Sequence, residues 1–99
     1  MRVLDINNLY SPTGGGIRVY HQEKMKWCHA NGIENYLAYP ASSNIRTPLN
    51  GGMAIGLRSP RLGSSGYNFF ISGKPIRRLI QELKPDVIEL GSGIVVPGM

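Results

Sequence analysis

Apolar residues alternate with turn-forming residues along the chain in a pattern that predicts four strands and two helices. Short, mostly apolar segments at 3–7, 33–39, 53–57 and 86–90 are typical of strands buried in a sheet. Segment 17–31 places apolar side chains on one face at helical spacing, and Gly32 follows where a left-handed C-terminal residue is expected. A second helix is predicted between Pro75 and Pro85, with apolar residues at positions i, i+3, i+4 and i+7.

Two long segments, 41–52 and 58–73, are predicted to be loops. The order strand–helix–strand–strand–helix–strand favours an α/β layer with parallel pairing. We therefore predict one domain, 1–99, with an incomplete Rossmann-like open parallel sheet of about four strands and two main helices, and no second domain. A complete doubly wound domain would continue with another helix and strand, so the chain is expected to end in mid-fold.

Composition limits the class of protein. The 99 residues, 41% of them apolar, can build one core. Cys28 is the only cysteine, which excludes an internal disulfide, and the histidines and carboxylates are too few and too scattered to predict a metal site or a cofactor. Neither a secretory signal nor an apolar run of about 18 residues occurs, so we expect a cytoplasmic protein without a transmembrane segment.

Basic residues are concentrated in the middle of the chain. The net charge is +5, and no acidic residue lies between Glu34 and Glu82. A positive field of this kind favours anionic ligands, although a solvated basic face explains the same pattern. No nucleic-acid motif accompanies the charge, so no specific nucleic-acid partner is expected. The basic residues of this stretch are Arg46, Arg58, Arg61, Lys74, Arg77 and Arg78.

A glycine-rich turn separates the first predicted strand from the first predicted helix. Gly14, Gly15 and Gly16 would let a ligand approach the backbone closely, and the start of a helix offers free N–H groups to an anion. Arg18, just inside the helix, adds a positive charge. The turn matches neither the dinucleotide-binding fingerprint nor the Walker pattern, so it is either a phosphate-binding loop or a tight turn.

In its first strand, glycine-rich turn and first helix, the sequence resembles the N-terminal domain of family 4 glycosyltransferases, the retaining enzymes with the GT-B fold. The most specific part is segment 4–20, LDINNLYSPTGGGIRVY, and looser similarity extends through Glu23-Lys24, segment 64–67 and segment 85–89 to the whole chain. In that family two Rossmann-like domains face a cleft. The resemblance implies that this chain is the N-terminal, acceptor-side part of such an enzyme.

The resemblance also implies roles for individual residues. Gly14, Gly15 and Gly16 would face the donor diphosphate, with Arg18 beside them, and the region of Arg58, Arg61 and Tyr67 would lie near the acceptor. The domain that grips most of the nucleotide sugar is not in this sequence, nor is the later part of the N-terminal domain, where the family's active-site histidine usually lies. No catalytic residue is therefore assigned, and the chain is expected to be inactive alone.

Several buried polar positions are expected in the first helix. His21 lies on the inward arc, where it either faces the cleft or packs as a hydrogen-bonded core residue. Cys28 is expected to be a small buried apolar side chain. Lys24 also falls on the apolar arc and Asp5 in an apolar strand, so the two either pair or Lys24 reaches the edge with its ammonium group.

Three functional hypotheses remain at this point. The first is an N-terminal glycosyltransferase fragment, whose parent would transfer a sugar from a nucleotide-sugar donor to an unknown acceptor with retention. The second is a stand-alone anion- or nucleotide-binding or scaffold module that uses the basic loops, and the third is a nonspecific nucleic-acid binder with strong salt dependence. The apolar segment 94–96 after the last strand predicts a homo-oligomer, with that segment exchanged between chains.

Overall fold

The structure, a computed structural model, describes residues 1–7, 15–58, 74–90 and 95–97. In chain order its elements are β1 (Arg2–Ile6), α1 (Gly16–Ala30), β2 (Glu34–Ala41), β3 (Ile45–Leu49), β4 (Gly52–Arg58), α2 (Lys74–Leu83), β5 (Val87–Leu90) and β6 (Val95–Pro97). The strands form one sheet in the order β3-β4-β2-β1-β5-β6.

The centre of the sheet is parallel. Strands β4, β2, β1 and β5 pair in parallel, and β1 lies between β2 and β5 with Leu4 beside Tyr36 on one side and Ile88 on the other. These are the four strands that the apolar pattern predicts, and both predicted helices occur. The α/β class and the parallel arrangement of these four strands are therefore confirmed.

The prediction of a loop at 41–52 is wrong, because this segment contains β3 and a hairpin turn. β3 pairs antiparallel with β4, and the turn places Asn50 at φ 48° and Gly51 at φ 84°. A two-residue Asn-Gly connection with positive φ at both positions is the type I′ geometry that matches strand twist. At the other edge β6 pairs antiparallel with β5. The sheet is thus mixed, with six strands rather than about four.

Strand β2 continues through Pro40, although the sequence predicts that the strand ends there. Ala38 accepts a hydrogen bond from the backbone N–H of Asn7, so the polar backbone groups of Ala38 point towards β1. Pro40, two residues on, points to the same side, but β1 ends at Ile6. The N–H that proline lacks would therefore lie beyond the paired residues of β1, and Pro40 still lies beside Leu57 of β4.

Helices α1 and α2 cover opposite faces of the sheet. Leu4, Ile6 and Ile88 belong to an apolar cluster with Leu79 and Leu83 of α2. A separate cluster joins Met25 of α1 to alternate residues of β2 and β4, namely Leu37, Tyr39 and Ala54. Since side chains alternate across a strand, each face of the sheet has its own core.

Helix α1 ends just before Gly32, as the sequence predicts. Gly32 has φ 71°, its N–H donates to His29 O, and the N–H of Ile33 donates to Cys28 O at 2.8 Å. These two bonds satisfy carbonyls that the helix itself leaves free, as in a Schellman motif, and they confirm the predicted role of Gly32. Cys28 is buried, which raises the pKa of its thiol, so it is the small buried side chain that was expected.

Candidate functional site

The direction in which the chain crosses the sheet reverses at β1. The connection from β1 to β2 runs through α1 on one face, whereas the connection from β4 to β5 contains α2 on the other face. In open α/β sheets the carboxyl ends of the strands at such a switch point border a crevice that holds ligands. Here the crevice lies at the ends of β1 and β5, beside the start of α1.

A cavity of about 310 Å³ occupies this crevice, and we call it the switch-point cavity. Its volume is at the lower end of the range for small-molecule sites. The ends of β1 and β5 form one wall and the first turns of α1 form the other. The lining residues are Asp5, Ile6, Asn7, Gly16, Ile17, Tyr20, His21, Glu89 and Leu90.

The described glycines of the turn leave the start of α1 open. Gly15 precedes the helix with φ 97°, a conformation that favours glycine, and both Gly15 and Gly16 are exposed with no atom within 4 Å of an added Cβ. No acidic side chain lies in the first turn of α1 to neutralise its positive end. As far as the described residues go, the free N–H groups of this turn are thus accessible to an anion. Gly14 lies outside the described residues.

His21 is a buried residue of the cavity wall. Its side chain is 3% exposed, its Nε2 lies 3.2 Å from the side-chain nitrogen of Asn7, and the ring of Tyr20 packs edge-on against it. Burial lowers the pKa of His21; the charge of Lys24 acts in the same direction and that of Asp5 opposes it. The imidazole is therefore neutral near pH 7. His21 packs in the core, as one of the two expectations has it, and it also lines the switch-point cavity, whereas its place in a cleft between two domains stays a prediction.

An ion-pair network lies directly under the cavity. Lys24 Nζ donates to Asp5 Oδ1 at 2.7 Å and also to the carboxylate of Glu89, while the amide of Asn35 donates to Asp5 Oδ2 at 2.8 Å. The predicted pair of Lys24 with Asp5 is therefore confirmed. The network ties α1 to β1, β2 and β5, and it fixes the two carboxylates that line the cavity.

The chemistry of the cavity differs between its two sides. The helix start offers N–H donors and a positive dipole end, which suit a phosphate group. The opposite wall offers the carboxylates of Asp5 and Glu89 and the amide of Asn7, which are hydrogen-bonding partners for hydroxyl groups. A ligand with a phosphate at one end and hydroxyls at the other fits this division.

The remaining predicted site residues lie elsewhere. Arg18 is half-buried in the first turn of α1 and is not part of the cavity lining. Arg58 is exposed at the end of β4 and lines a different cavity, on the α2 face of the sheet. Arg61 and Tyr67 lie outside the described residues. The structure thus brings Gly16 and His21 together, and Arg58 does not join them.

Of the nine described lining residues, only Gly16 and His21 were predicted as site residues. The polar residues that were not predicted are Asp5, Asn7, Tyr20 and Glu89. Asn7 and Glu89 are polar residues near the carboxyl ends of otherwise apolar strands, which is the signal that could have found them. Tyr20 is 58% exposed and precedes the buried His21. In the sequence Tyr20 falls on the apolar arc of the helix, which is typical of a core residue.

Fold and cavity together define a class: an α/β domain with a mostly parallel sheet and a ligand-sized cavity at its switch point. In comparisons with known proteins, the chain matches no family model, no curated protein and no solved structure. Across the part of the chain that is described, no helix has the length and apolar character needed to cross a membrane. The same residues contain no group of three or more histidine, cysteine or carboxylate side chains that could hold a metal ion.

Proposed function

We propose that this chain is the N-terminal, acceptor-side domain of a retaining glycosyltransferase of the GT-B type, and that the switch-point cavity contributes to its nucleotide-sugar site. The parent reaction transfers a sugar from the nucleotide sugar to an acceptor. One domain supplies one wall of the cleft between two domains, so this chain positions the donor diphosphate and does not turn over alone.

The observation that carries this proposal is the position of Gly16 in the switch-point cavity. Segment 4–20 carries the resemblance to family 4 glycosyltransferases, and the same segment supplies most of the cavity, from the end of β1 and the start of α1. His21 follows directly after it. A diphosphate at the helix start would accept N–H hydrogen bonds, and the unblocked Cβ directions of Gly15 and Gly16 leave room for it.

The side chains of the opposite wall have a compatible role. Glu89 and Asp5 accept hydrogen bonds from hydroxyl groups, and Lys24 holds both carboxylates in place. The neutral His21 adds no charge beside the carboxylates. The wall therefore suits the ribose or sugar of a nucleotide sugar, while the helix start suits its diphosphate.

Titration of the complete chain with uridine diphosphate, followed by amide chemical shifts, tests this proposal. We expect weak binding, on the order of millimolar, with shifts at Gly16, Tyr20, His21 and Glu89. The binding is weak because most donor contacts would belong to the other domain.

A cavity-filling variant makes the titration specific. Gly16 has ordinary helical φ and open space around an added Cβ, so Gly16→Val narrows the cavity without straining the turn. The control is Val19→Ala, since Val19 is exposed on the same helix and does not line the cavity. We expect Gly16→Val to abolish the shifts and Val19→Ala to retain them. Unchanged binding in a folded Gly16→Val variant contradicts the proposal.

A further inference from the structure

A second cavity, of about 570 Å³, lies on the α2 face of the sheet, between the β3–β4 hairpin and α2. It shares no lining residue with the switch-point cavity. Part of its wall is apolar, formed by Ile55 and Leu57 of β4 and Leu79 of α2. We call it the basic cavity, because of the charged residues around it.

Among the described residues, four cationic side chains line the basic cavity, namely Arg46, Arg58, Lys74 and Arg78. Among the same residues one carboxylate, that of Glu82, also lines it and pairs with Arg46 at 2.6 Å. Within the described part of the chain, the guanidinium groups of Arg58 and Arg78 make no ion pair. The cavity thus has a strong excess of positive charge beside an apolar wall.

The fold gathers these cations from distant positions. They are four of the six basic residues in the acid-free stretch of the sequence. The hairpin places Arg46 beside Ile55, β4 ends at Arg58, and Lys74 and Arg78 are neighbours on one face of α2, four residues apart. Like charges in one cavity repel each other, and an anion removes that repulsion.

The start of α2 adds to this field. Lys74 and Pro75 lie at the N-terminal end of the helix, line the cavity, and have no acidic side chain in the first turn beside them. The positive end of the helix dipole is therefore directed at the same space as the four cations. Guanidinium groups and helix N-termini are both well suited to phosphate oxygens.

We propose that the basic cavity binds a small phosphate monoester whose organic part is a ring or another apolar group. The phosphate binds Arg58, Arg78 and the start of α2, and the organic part packs on Ile55 and Leu79. The volume is in the range of small-molecule sites, and a cavity of this size with an apolar wall is better suited to a small ligand than to an extended polymer. This proposal does not depend on the switch-point cavity and stands if that cavity binds no nucleotide.

The test is a titration of the complete chain with phenyl phosphate, measured by calorimetry and amide chemical shifts at constant salt. Inorganic phosphate and phenol are titrated separately, because they carry the charge and the ring alone. We expect saturable binding of phenyl phosphate, tighter than that of either fragment, with shifts at Leu57, Arg58 and Leu79. Shifts confined to the switch-point cavity, or no saturable binding, overturn the proposal.

A pair of adjacent arginines supplies the matched variants. Arg77 and Arg78 are both exposed residues of α2, but only Arg78 lines the cavity. We expect Arg78→Gln to weaken binding about tenfold, the order expected for one charge-assisted hydrogen bond, and Arg77→Gln to change it less than about twofold. Equal losses in the two variants overturn the proposal.

A short DNA duplex is the last titrant. If DNA binds more tightly than phenyl phosphate and loses affinity equally in Arg77→Gln and Arg78→Gln, the cations serve an extended nucleic-acid surface, and the proposal fails. If DNA binds weakly and the two variants differ for phenyl phosphate, the small-molecule site is supported. The melting temperature of both variants shows that each is folded.

Discussion

The ammonium group of Lys24 holds two carboxylates that the fold brings side by side. Asp5 and Glu89 are register partners of β1 and β5, and the side chain of Asp5 is 5% exposed. We predict that Lys24→Met lowers the free energy of unfolding by about 3 kcal/mol, the lower end for removing one partner of a buried pair, since Glu89 is partly exposed. Urea denaturation measures this change.

Lys26→Met is the control for that variant, because Lys26 is exposed on the same helix. We expect its effect to stay within about 0.5 kcal/mol, as for most surface substitutions. If Lys24→Met were no more destabilising than Lys26→Met, the two carboxylates would not depend on Lys24.

The buried imidazole of His21 makes stability depend on pH. Burial lowers its pKa in the folded chain, whereas the unfolded chain takes up a proton below about pH 6.5. Because the unfolded state then binds more protons, the free energy of unfolding falls as the pH drops from about 6.5 towards the lowered folded pKa. Above about pH 6.5 this contribution is fully present.

His21→Gln removes this part of the pH dependence while it keeps a polar side chain beside Asn7. We expect urea denaturation between about pH 7.5 and pH 5 to show a smaller loss of stability in the variant than in the parent chain. The carboxylates titrate in both chains, so the difference reports His21. Identical pH profiles would show that the folded and unfolded pKa values of His21 are the same.

For individual residues, the sequence predicts contacts between neighbouring elements better than contacts between distant ones. A lysine on the apolar arc of a helix and an aspartate in the preceding strand are candidates for a pair, because the helix packs back on its own strand. The third member, Glu89, becomes a neighbour only through the pairing of β1 with β5. No local pattern encodes that register, so the complete network could not be predicted.

Among the elements, the β3–β4 hairpin depends on one glycine for two reasons. Gly51 has φ 84°, and a Cβ there would lie 2.7 Å from Nδ1 of the His29 ring. We predict that Gly51→Ala destabilises the chain by at least about 1 kcal/mol, because alanine is strained at positive φ and His29 must also move. The midpoint of thermal unfolding measures the effect.

Gly32→Ala separates the effect of backbone strain from the effect of the contact with His29. Gly32 has a similar φ of 71° but no atom within 4 Å of an added Cβ, so its variant carries backbone strain without a steric contact. We expect Gly51→Ala to be the more destabilising of the two. Equal effects would mean that His29 moves aside without cost.

Periodicity explains which elements the sequence reveals. Both helices and the four central strands bury apolar side chains, so their pattern is visible. β3 is almost entirely exposed and contains Arg46, Thr47 and Pro48, so its residues show no alternation of apolar and polar positions. Its one local signal is the Asn50-Gly51 pair, which marks a hairpin only when both flanking strands are considered. β6 has three residues, too few for a period.

For the whole molecule, the proposed function predicts binding without turnover. Under that proposal the 99 residues supply one wall of a cleft that needs two domains, so the purified chain is expected not to transfer sugar from any nucleotide sugar. Product formation from radiolabelled donors, compared with a reaction without protein, measures this. Turnover above that background would falsify the proposal that sugar transfer requires a second domain.

Association of the chain with itself stays a prediction, and α1 offers a surface for it. Val19 and Trp27 are 51% and 60% exposed on this helix. We expect light scattering at high micromolar concentration to show a dimer or larger species, and Trp27→Gln to weaken it. Trp27 is the only tryptophan, so its emission should shift to the blue as the concentration rises. A strictly monomeric species would contradict the prediction.

The central position of β1 has a consequence for the synthesis of the chain. Leu4 is among the first residues to be made, yet its register partner Ile88 follows 84 residues later. Until β5 is translated, one edge of β1 has no strand beside it and Lys24 lacks its second carboxylate. The β3–β4 hairpin forms from adjacent residues and can precede this step, whereas closure of the sheet waits for a contact between distant parts of the chain. Such long-range pairing makes folding slow, on the order of milliseconds to seconds, and leaves the nascent β1 edge open to other strands.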